Sequence, residues 1–442
     1  MTATRMPNTR FSPQVQAWLT AGVRYQMDAR HDEAVSMYRQ VLHVAPDHPD
    51  ALHLLGLIEY LRHRPADAVK HISAALALAP HNSVMQTNLK MVRTALDLRG
   101  FSDRVFDAQR DELPSLDGNG EVHVLNDYSN DVGGSELRSI ELGLRLRERV
   151  DTHFWSINDG IAPSFQTHEV QIVRPDRQQF PRTGTLIIGG SYCPIGDWIG
   201  ATRFRRIIVI YNVCDPSQLW RCLDQLRNPN FPKIELVYAS HMMRDNAGLP
   251  GVFGPSPLGE RFMASAPIDY HRAGRFVVGR LSRDHAIKFH PESAAFFRAL
   301  ADADMQVRLM GATVLSEQLP QQHARLELLP AGSEPAEVFL RSLDCFTFRT
   351  HARWVEPWGR VVTEAMAVGL PVVLHASGGY QEFVEDGENG ILFHTDQQAY
   401  EAIQRLRADP ALRQRLGQAG RATIRRMFSA EQFDAHLDFY CR

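Results

Sequence analysis

The first hundred residues of the chain repeat themselves at an interval of 34 residues. At the matched positions, each copy has a small residue, a large or apolar residue, or a proline. The matched pairs are Gly22 with Gly56, Ala34 with Ala68, Tyr38 with Ile72, Val41 with Ala75, and Pro46 with Pro80. Small residues let two helices approach closely, and a proline ends the second helix of each copy. One helix pair cannot bury its own apolar face, so this period predicts a stack of pairs capped by an incomplete third unit from Ser83 to about Leu98.

The period and the residue classes resemble the tetratricopeptide repeat, with Trp18 and Tyr25 at the remaining large positions of the first unit. The resemblance implies a concave groove that binds a segment of another protein. The alternative is that so short an array only packs on the next domain or on another copy of the chain. We predict a tail over residues 1–12, repeats over 13–98 and, because 99–120 is polar and turn-rich, a linker.

The chain as a whole has 442 residues, too many for one hydrophobic core, so we expect two or three domains. A formal net charge of −3 gives no electrostatic case for binding nucleic acid or an anionic membrane. The apolar runs are only long enough for strands, which leaves at most peripheral membrane contact. The start of the chain lacks an apolar core of signal-peptide length, and its five cysteines have no CxxC spacing. These features favour a cytoplasmic protein without a zinc site or disulfides.

After the linker, two series of short apolar runs alternate with polar or helical stretches, the pattern of parallel α/β sheets. The runs of the first series are residues 121–126, 185–190, 206–212 and 234–240. The second series starts with a strand that ends in Gly279-Arg280 and continues through 306–311, 325–330, 343–348, 371–376 and 390–393. We predict one domain over 121–268 and another over 269–442. The final helix, 429–441, has a Ser-Ala-Glu-Gln start that suits an N-cap.

Two glutamates lie eight positions apart in the segment EPWGRVVTEAMAVGLPVV, residues 356–373. Residues 361–368 read as a helix that ends at Gly369, between two buried strands. Glu356 therefore belongs to the loop before this helix and Glu364 to the helix itself. Both are predicted at the carboxyl end of a parallel strand, where ligands bind in open α/β sheets.

This segment, GGSE at 133–136, VVGRLS at 277–282 and GGYQEFVEDGENGILF at 378–393 together resemble the retaining GT-B glycosyltransferases of family 4. The likeness covers about residues 121–442 and is densest over 275–393. It implies two Rossmann-like domains facing across a cleft, after the all-α repeat domain. It also implies a nucleotide-sugar donor on the second domain, and a last helix that crosses back to the first.

The resemblance gives the motif residues roles in donor binding. Glu356 would contact hydroxyls of the donor sugar and Glu364 those of the ribose, since a carboxylate that accepts two adjacent hydroxyls fixes a sugar ring. The N–H groups of Trp358 and Gly359 would meet a phosphate or sugar oxygen at the helix start. The alternative is that Glu364 is an exposed helix residue and Glu356 an N-terminal helix charge.

The leaving diphosphate needs cations, and the resemblance points to Arg280 with a lysine five residues later. Position 285 is His, and the nearby lysine is Lys288, as if three residues were inserted. Arg283 could substitute for the missing lysine. The alternative for Arg280 is a surface charge at a strand end. Together with Glu356, Arg280 and Lys288 form the predicted catalytic set.

Three glycines complete the predicted donor site. Gly279 precedes Arg280, and Gly133 and Gly134 would approach the donor diphosphate and the acceptor from the opposite wall. A glycine turn without any ligand explains Gly133 and Gly134 equally well.

The first domain offers weaker candidates for catalysis. Family members commonly carry a histidine there, but the comparable strand end has Asn212 and Asp215, so we assign no base. His241 is another candidate, although a lone histidine beside a strand is more often structural. The DAD sequence at 302–304 lies at the end of a predicted helix, so we expect no metal site there and no cofactor.

The sequence therefore predicts a metal-independent retaining glycosyltransferase that uses a UDP- or GDP-sugar. The repeats suggest a protein acceptor. The alternatives are a saccharide or lipid-linked acceptor in cell-surface polysaccharide synthesis, with a basic stretch at 201–206 as a weak lipid-contact candidate, or a non-catalytic repeat scaffold.

Overall fold

A computed structural model describes residues 11–28, 30–112, 120–131, 133–264, 266, 268–271, 273–319, 323–352 and 354–442. Most of the predicted tail (1–10) and the middle of the predicted linker (113–119) lie outside the described residues. The chain divides into two compact units. The first is Met1–Asp103 with Asp215–Trp220 and Asp245–Leu249, and the second is Arg104–Cys214, Arg221–Arg244 and Pro250–Arg442.

The first unit contains the predicted helical stack. Its helices are α1 (Pro13–Met27), α2 (His31–Val44), α3 (Pro49–Leu61), α4 (Pro65–Leu78) and α5 (Ser83–Leu98). The repeated glycines lie where helices of a pair touch: a Cβ at Gly22 would be 2.5 Å from the Tyr38 ring, and one at Gly56 would be 2.6 Å from Ile72. The 34-residue pattern therefore corresponds to contacts between paired helices. Tyr38 and Ile72, which take part in these contacts, are fully buried.

The described part of the predicted linker is ordered. A 3-10 helix spans Arg99–Arg104, and Val105 forms a parallel β-bridge with Ile234. Asp111 then pairs with Lys233 at 2.6 Å. Because this stretch is polar overall, its sequence did not predict that Val105 is buried, with an exposed fraction of only 1%.

The second unit begins with a seven-stranded parallel sheet, in the order β3-β2-β1-β4-β5-β6-β7. Its strands are β1 (Val122–Asn126), β2 (Thr152–Ser156), β3 (Gln171–Ile172), β4 (Thr185–Ile188), β5 (Arg206–Tyr211), β6 (Ile234–Tyr238) and β7 (Val252–Phe253). The helices in this part of the chain are α6 (Gly134–Arg147), α7 (Pro216–Gln225), α8 (His241–Ala247) and α9 (Glu260–Met263). Strands β1, β4, β5 and β6 are buried along their whole length, as parallel strands covered on both faces should be.

A six-stranded parallel sheet follows, in the order β10-β9-β8-β11-β12-β13. Its strands are β8 (Val277–Leu281), β9 (Gln306–Met310), β10 (Leu326–Leu329), β11 (Cys345–Phe348), β12 (Val372–His375) and β13 (Ile391–Phe393). The remaining helices are α10 (Ser293–Asp302), α11 (Ala336–Arg341), α12 (Arg360–Val368), α13 (Asp396–Ala408), α14 (Pro410–Met427) and α15 (Ala430–Cys441). The prediction that β8 ends in Gly279-Arg280 is wrong, because its pairing with β9 continues to Leu281.

The last helix crosses back to the first sheet, as the resemblance implied. Leu437 and Tyr440 of α15 belong to the hydrophobic core around β1 and β5. Arg206 is 2% exposed, pairs with Glu235 at 2.7 Å and donates to the carbonyl of Phe439 at 2.9 Å. The basic stretch at 201–206 therefore contributes one of its arginines to the interior. The predicted cap is only partly present, since Ser429 holds the N-cap position without a side-chain hydrogen bond.

Both sheets follow the same winding, and in each the strand order reverses once, between β1 and β4 and between β8 and β11. Ligands of doubly wound sheets bind outside the strand ends at such a switch point. The loops after these four strands are therefore where a site should be sought. Within the described part of the chain, each helix is too short or too polar to cross a bilayer.

Candidate active site

The second switch point brings Lys288 and Glu356 together. Lys288 ends a 3-10 turn, Ala286–Lys288, after β8, and Glu356 lies in the loop after β11. Lys288 Nζ is 2.7 Å from Glu356 Oε2, and their side chains are 9% and 15% exposed. Trp354 Nε1 donates to the same oxygen at 3.2 Å. The displaced lysine thus meets the motif glutamate.

Glu356 is held ionised by its neighbours. Burial pushes the pKa of Glu356 upward, but the charge and hydrogen bond of Lys288, the hydrogen bond from Trp354 and the charge of Arg283 together bring it below the ordinary value. A carboxylate in this state offers acceptor positions only, which suits it to binding hydroxyl groups.

Arg280 is not a surface charge at a strand end. It is 1% exposed, and its guanidinium lies between the rings of Phe289 and Phe348, 4.4 Å from each centroid. The guanidinium donates to the backbone carbonyls of Lys288 and Arg349. Burial lowers the pKa of Arg280, with the charge of Glu356 acting against that shift. This arginine joins the loop after β8 to the loop after β11.

Glu364, in α12, is buried rather than exposed, at 5%. Its Oε1 accepts a hydrogen bond from Arg360 Nε at 2.9 Å, and Arg360 also donates to the carbonyl of Pro257 at 3.1 Å. Burial raises the pKa of Glu364, while the charge and hydrogen bond of Arg360 oppose the rise. The second motif glutamate is therefore tied to the segment that connects the two sheets.

Trp358 and Gly359 lie at the start of α12, as expected. Gly359 is the N-cap and has φ +84°, a conformation that favours glycine, and a Cβ there would be 2.8 Å from the Tyr380 ring. The Trp358 side chain is 3% exposed and packs on Phe383 and Phe253, with centroids 4.6 and 5.5 Å away. Its indole therefore contacts Phe253 of the first sheet as well as Phe383, which follows β12.

A glycine pair that sequence reasoning left without a role fixes the backbone of Glu356. Gly378 bridges to Glu356, and Gly379 N donates to the Glu356 carbonyl at 2.8 Å. A Cβ at Gly379 would be 2.0 Å from the carbonyl oxygen of Pro357. The GG pair after β12 was visible in the sequence, but only the fold shows what it approaches.

The three glycines predicted to contact the donor differ in their surroundings. A Cβ at Gly279 would be 2.4 Å from Leu343, which shows that this glycine permits close packing inside the sheet. A Cβ at Gly133 would be 1.8 Å from Glu136 Oε2, so Gly133 leaves room for that side chain. A Cβ at Gly134 would meet nothing within 4 Å. Of the three, Gly134 has open space beside it.

The first switch point holds a network that the sequence did not reveal. Glu136, 7% exposed, accepts a hydrogen bond from the Tyr192 hydroxyl. Asn126, at the end of β1, donates to Ser135 Oγ at 3.1 Å, and Asn212 donates to the same hydroxyl at the same distance. Burial raises the pKa of Glu136, against the Tyr192 hydrogen bond and the charge of Arg283. Only the GGSE motif hinted at Glu136.

The loop after β5 faces the ion pair of the other sheet. Cys214 follows Asn212 in this loop, and burial raises the pKa of its thiol to about 12, with the charge of Glu356 adding to the rise and that of Lys288 opposing it. The loop after β5 therefore lies within electrostatic range of the ion pair.

His241 and Asp215 have structural partners. Glu382 accepts hydrogen bonds from the backbone N–H groups of His241 and Met242 at 3.0 and 2.9 Å, and lies 2.9 Å from His241 Nδ1. It thereby caps α8 from the other sheet. Asp215 accepts hydrogen bonds from the backbone and hydroxyl of Ser217 at 2.9 and 2.7 Å.

The carboxylates of the DAD sequence are ion-paired. Asp302 lies 3.1 Å from His323, and Asp304 lies 2.9 Å from Arg325 and 3.3 Å from Arg275. These arginines occupy the approach that a cation would need.

A second group of possible metal ligands lies beside the ion pair. His290, Glu292 and Asp396 have ligand atoms within 4.8 Å of one another. Arg349 donates to His290 at 3.1 Å and pairs with Asp396. The guanidinium therefore offsets part of the acidic charge of this group.

Comparison with known families identifies the second sheet and its helices. Residues 276–423 match the model of the family Glycosyl transferases group 1. This part of the chain, about a third of its length, is similar to a glycosyl transferases group 1 domain. The matched region contains Arg280, Lys288, Glu356 and Glu364.

Two curated relatives match shorter stretches. The lipopolysaccharide core biosynthesis glycosyltransferase LpsE of Rhizobium meliloti is 39% identical over 102 residues, which are 22% of this chain and 29% of that protein. An alpha-maltose-1-phosphate synthase of Mycobacterium tuberculosis is 30% identical over 207 residues, 42% of this chain and 52% of that protein. The chain thus spans less than a third of the first relative and about half of the second.

Solved structures share the fold over a longer range. The crystal structure of Anabaena HepE in complex with UDP and glucose has a TM-score of 0.58 at 18% identity and covers 72% of this chain and 98% of that chain. WaaG, a glycosyltransferase involved in lipopolysaccharide biosynthesis, has a TM-score of 0.53 at 12% identity and covers 72% of this chain. The two parallel sheets therefore form a GT-B fold.

Proposed function

We propose that the chain is a glycosyltransferase that takes a sugar from a nucleoside diphosphate donor. The observation that carries this proposal is the Lys288–Glu356 pair, which lies at a switch point within the matched domain. The Anabaena HepE protein was crystallised with UDP and glucose, and also with UDP-glucose. We therefore expect the donor to be a uridine nucleotide, and UDP is tested before GDP.

In this proposal Glu356 binds hydroxyls of the donor sugar, and Lys288 neutralises it until the donor arrives. Glu364 binds the ribose, and the backbone N–H groups at the start of α12 meet a phosphate or sugar oxygen. The transfer retains the anomeric configuration: the acceptor hydroxyl attacks the face from which the diphosphate leaves, and a phosphate oxygen takes its proton. The chain contributes positioning and charge stabilisation, without a metal.

A melting experiment tests the donor site. The melting temperature is measured with UDP, GDP, ADP and dTDP, each with and without EDTA. A nucleotide at a hundred times its dissociation constant adds about 2.7 kcal/mol of stability, and we expect this for UDP in either condition. Glu364→Ala should abolish the shift, while Glu388→Ala, at an exposed position of the same domain, should keep it. A melting temperature that none of the four nucleotides changes would refute the donor site. A shift that is lost in EDTA would refute metal independence.

The acceptor in our proposal is a polypeptide bound by the helical unit, whose helices we interpret as tetratricopeptide repeats. A surface groove of about 450 Å³ in this unit is lined by an aromatic ring and several hydrogen-bond donors, among them Trp18, Arg39, Gln40, His43 and Arg62. A saccharide or lipid-linked acceptor is the alternative, and the names of relatives such as LpsE favour it. The burial of Arg206 removes one cation from the stretch that could contact a lipid surface.

Labelled UDP-sugar and a host extract distinguish these acceptors. We expect label in the polypeptide fraction, and Arg39→Glu should lower it while the slow hydrolysis of the donor stays unchanged. Label in the lipid or saccharide fraction would instead support the alternative. The anomeric configuration of the product, read by NMR, tests retention.

A further inference from the structure

Strand β8 and the loop after it carry one lysine and two arginines that concern the site, and two of these three side chains are already engaged. Arg280 is buried between two phenylalanine rings and bound to backbone carbonyls. Lys288 is paired with Glu356 at 2.7 Å. Arg283 is exposed and, among the residues that the structure describes, makes no side-chain hydrogen bond or ion pair. We propose that Arg283, rather than Arg280, is the arginine that binds the diphosphate of the donor, an inference that rests on the proposed function.

The backbone on both sides of Arg283 is fixed to the neighbouring loop. Ser282 N donates to the carbonyl of Met310 at 3.0 Å, and Asp284 Oδ1 accepts from Val314 N at 3.1 Å. Gly311 has φ +76°, and a Cβ there would be 1.7 Å from the carbonyl oxygen of Ser282. Arg283 is thus an exposed side chain on a hydrogen-bonded stretch of backbone, so ligand binding has to order only the side chain.

Arg283 lies within electrostatic range of a carboxylate at each switch point. Its positive charge acts on Glu136, which lies beside the first sheet, and on Glu356, which lies beside the second. Burial and closer partners act more strongly on both carboxylates, which agrees with an arginine that lies near them without touching either. A diphosphate entering between the sheets would meet this guanidinium, whose paired donors fit phosphate oxygens.

Arg280 then has a different task from the one predicted. By holding the carbonyls of Lys288 and Arg349, it fixes the loops that present Lys288 and Glu356. It is a positioning residue, and the turn at Ala286–Lys288 follows Arg283 and ends at the paired Lys288.

Calorimetric titration of the full chain with UDP, and NMR titration with uridine, test this division. For Arg283→Gln we expect UDP binding to weaken about tenfold to hundredfold, the loss of hydrogen bonds to a charged group, while uridine binding stays unchanged. Arg283→Lys keeps the charge without the paired donors and should recover part of the affinity. The matched control is Arg298→Gln, an arginine of α10 with 63% side-chain exposure, which should bind UDP like the wild type.

The outcomes separate this inference from the proposed function. If the wild type binds UDP and Arg283→Gln binds it equally well, the assignment of Arg283 is overturned and the donor site stands. If Arg283→Gln loses uridine and UDP to the same extent, Arg283 does not act on the phosphates. If the wild type binds none of the four nucleoside diphosphates, the proposed function fails, and the assignment with it.

Discussion

The two switch points have the same strand order but opposite chemistry. At the second, ionised groups are held in place: Lys288 against Glu356, and Arg280 inside the protein. At the first, hydroxyl and amide groups surround Glu136, whose pKa is raised by its burial. Fixed charges suit a ligand whose own charge never varies, whereas neutral donors and acceptors can rearrange around different hydroxyl groups. The same winding thus carries fixed charges at one switch point and a buried, hydrogen-bonded carboxyl group at the other.

The largest predicted effect is a loss of stability caused by a substitution at the second switch point. Gly311→Ala should lower the free energy of unfolding by at least about 3 kcal/mol, because the new Cβ would overlap the Ser282 carbonyl at a φ that alanine disfavours. Gly387 has the same φ of +76° with open space around it, so Gly387→Ala should cost only about 1 kcal/mol. Urea denaturation measures both. Equal losses would show that φ alone decides and that the loop around Arg283 is not rigid.

An intermediate effect tests whether the ion pair is a unit. Lys288→Met leaves Glu356 without its cation and should cost about 2 to 3 kcal/mol at pH 7, less than a fully buried pair would. The double variant Lys288→Met with Glu356→Gln should recover most of this loss.

The pH dependence of this loss has a definite sign. In the wild type the pKa of Glu356 is lowered from 4.5, so its contribution to stability is present above about pH 4.5 and fades as the pH falls below that value. The gap between the wild type and Lys288→Met should therefore shrink in acid. A gap that stays constant from pH 7 to pH 4 would contradict the pairing.

The smallest predicted effect concerns the first switch point. Because burial raises the pKa of Glu136 above 4.5, this residue favours the folded state at low pH, and that contribution is lost as the pH rises from 4.5 through the raised pKa. Glu136→Gln should thus be more stable than the wild type by less than about 1 kcal/mol at pH 7, and equal to it near pH 4. Glu148→Gln, with 64% side-chain exposure, is the control. A destabilised Glu136→Gln at pH 7 would mean that the carboxylate is ionised and bound.

The comparison also shows which features could be read from the sequence. Strands such as β5, buried on both faces, are unbroken apolar runs and were located to within a residue or two. Strand β2, with the sequence THFWS, mixes polar and aromatic residues and was missed, as were the two-residue strands β3 and β7.

The residues of the site can likewise be divided into those that the sequence predicted and those that it did not. Glu356 was found because its motif is local, and its predicted roles with Glu364 remain predictions. The burial of Arg280 was not predicted, because the rings that enclose it, Phe289 and Phe348, come from separate segments. Glu136 was missed because its partner Tyr192 lies 56 positions away.

The return of α15 to the first sheet has a consequence for building hybrids of two transferases. A single crossover between β7 and β8 would join the first sheet of one parent to the last helix of the other. Arg206 would then face foreign carbonyls in place of that of Phe439, and the core would receive foreign side chains in place of Leu437 and Tyr440. A working hybrid needs a second crossover before residue 430, so that all twelve residues of α15 come from the same parent as the sheet they cover.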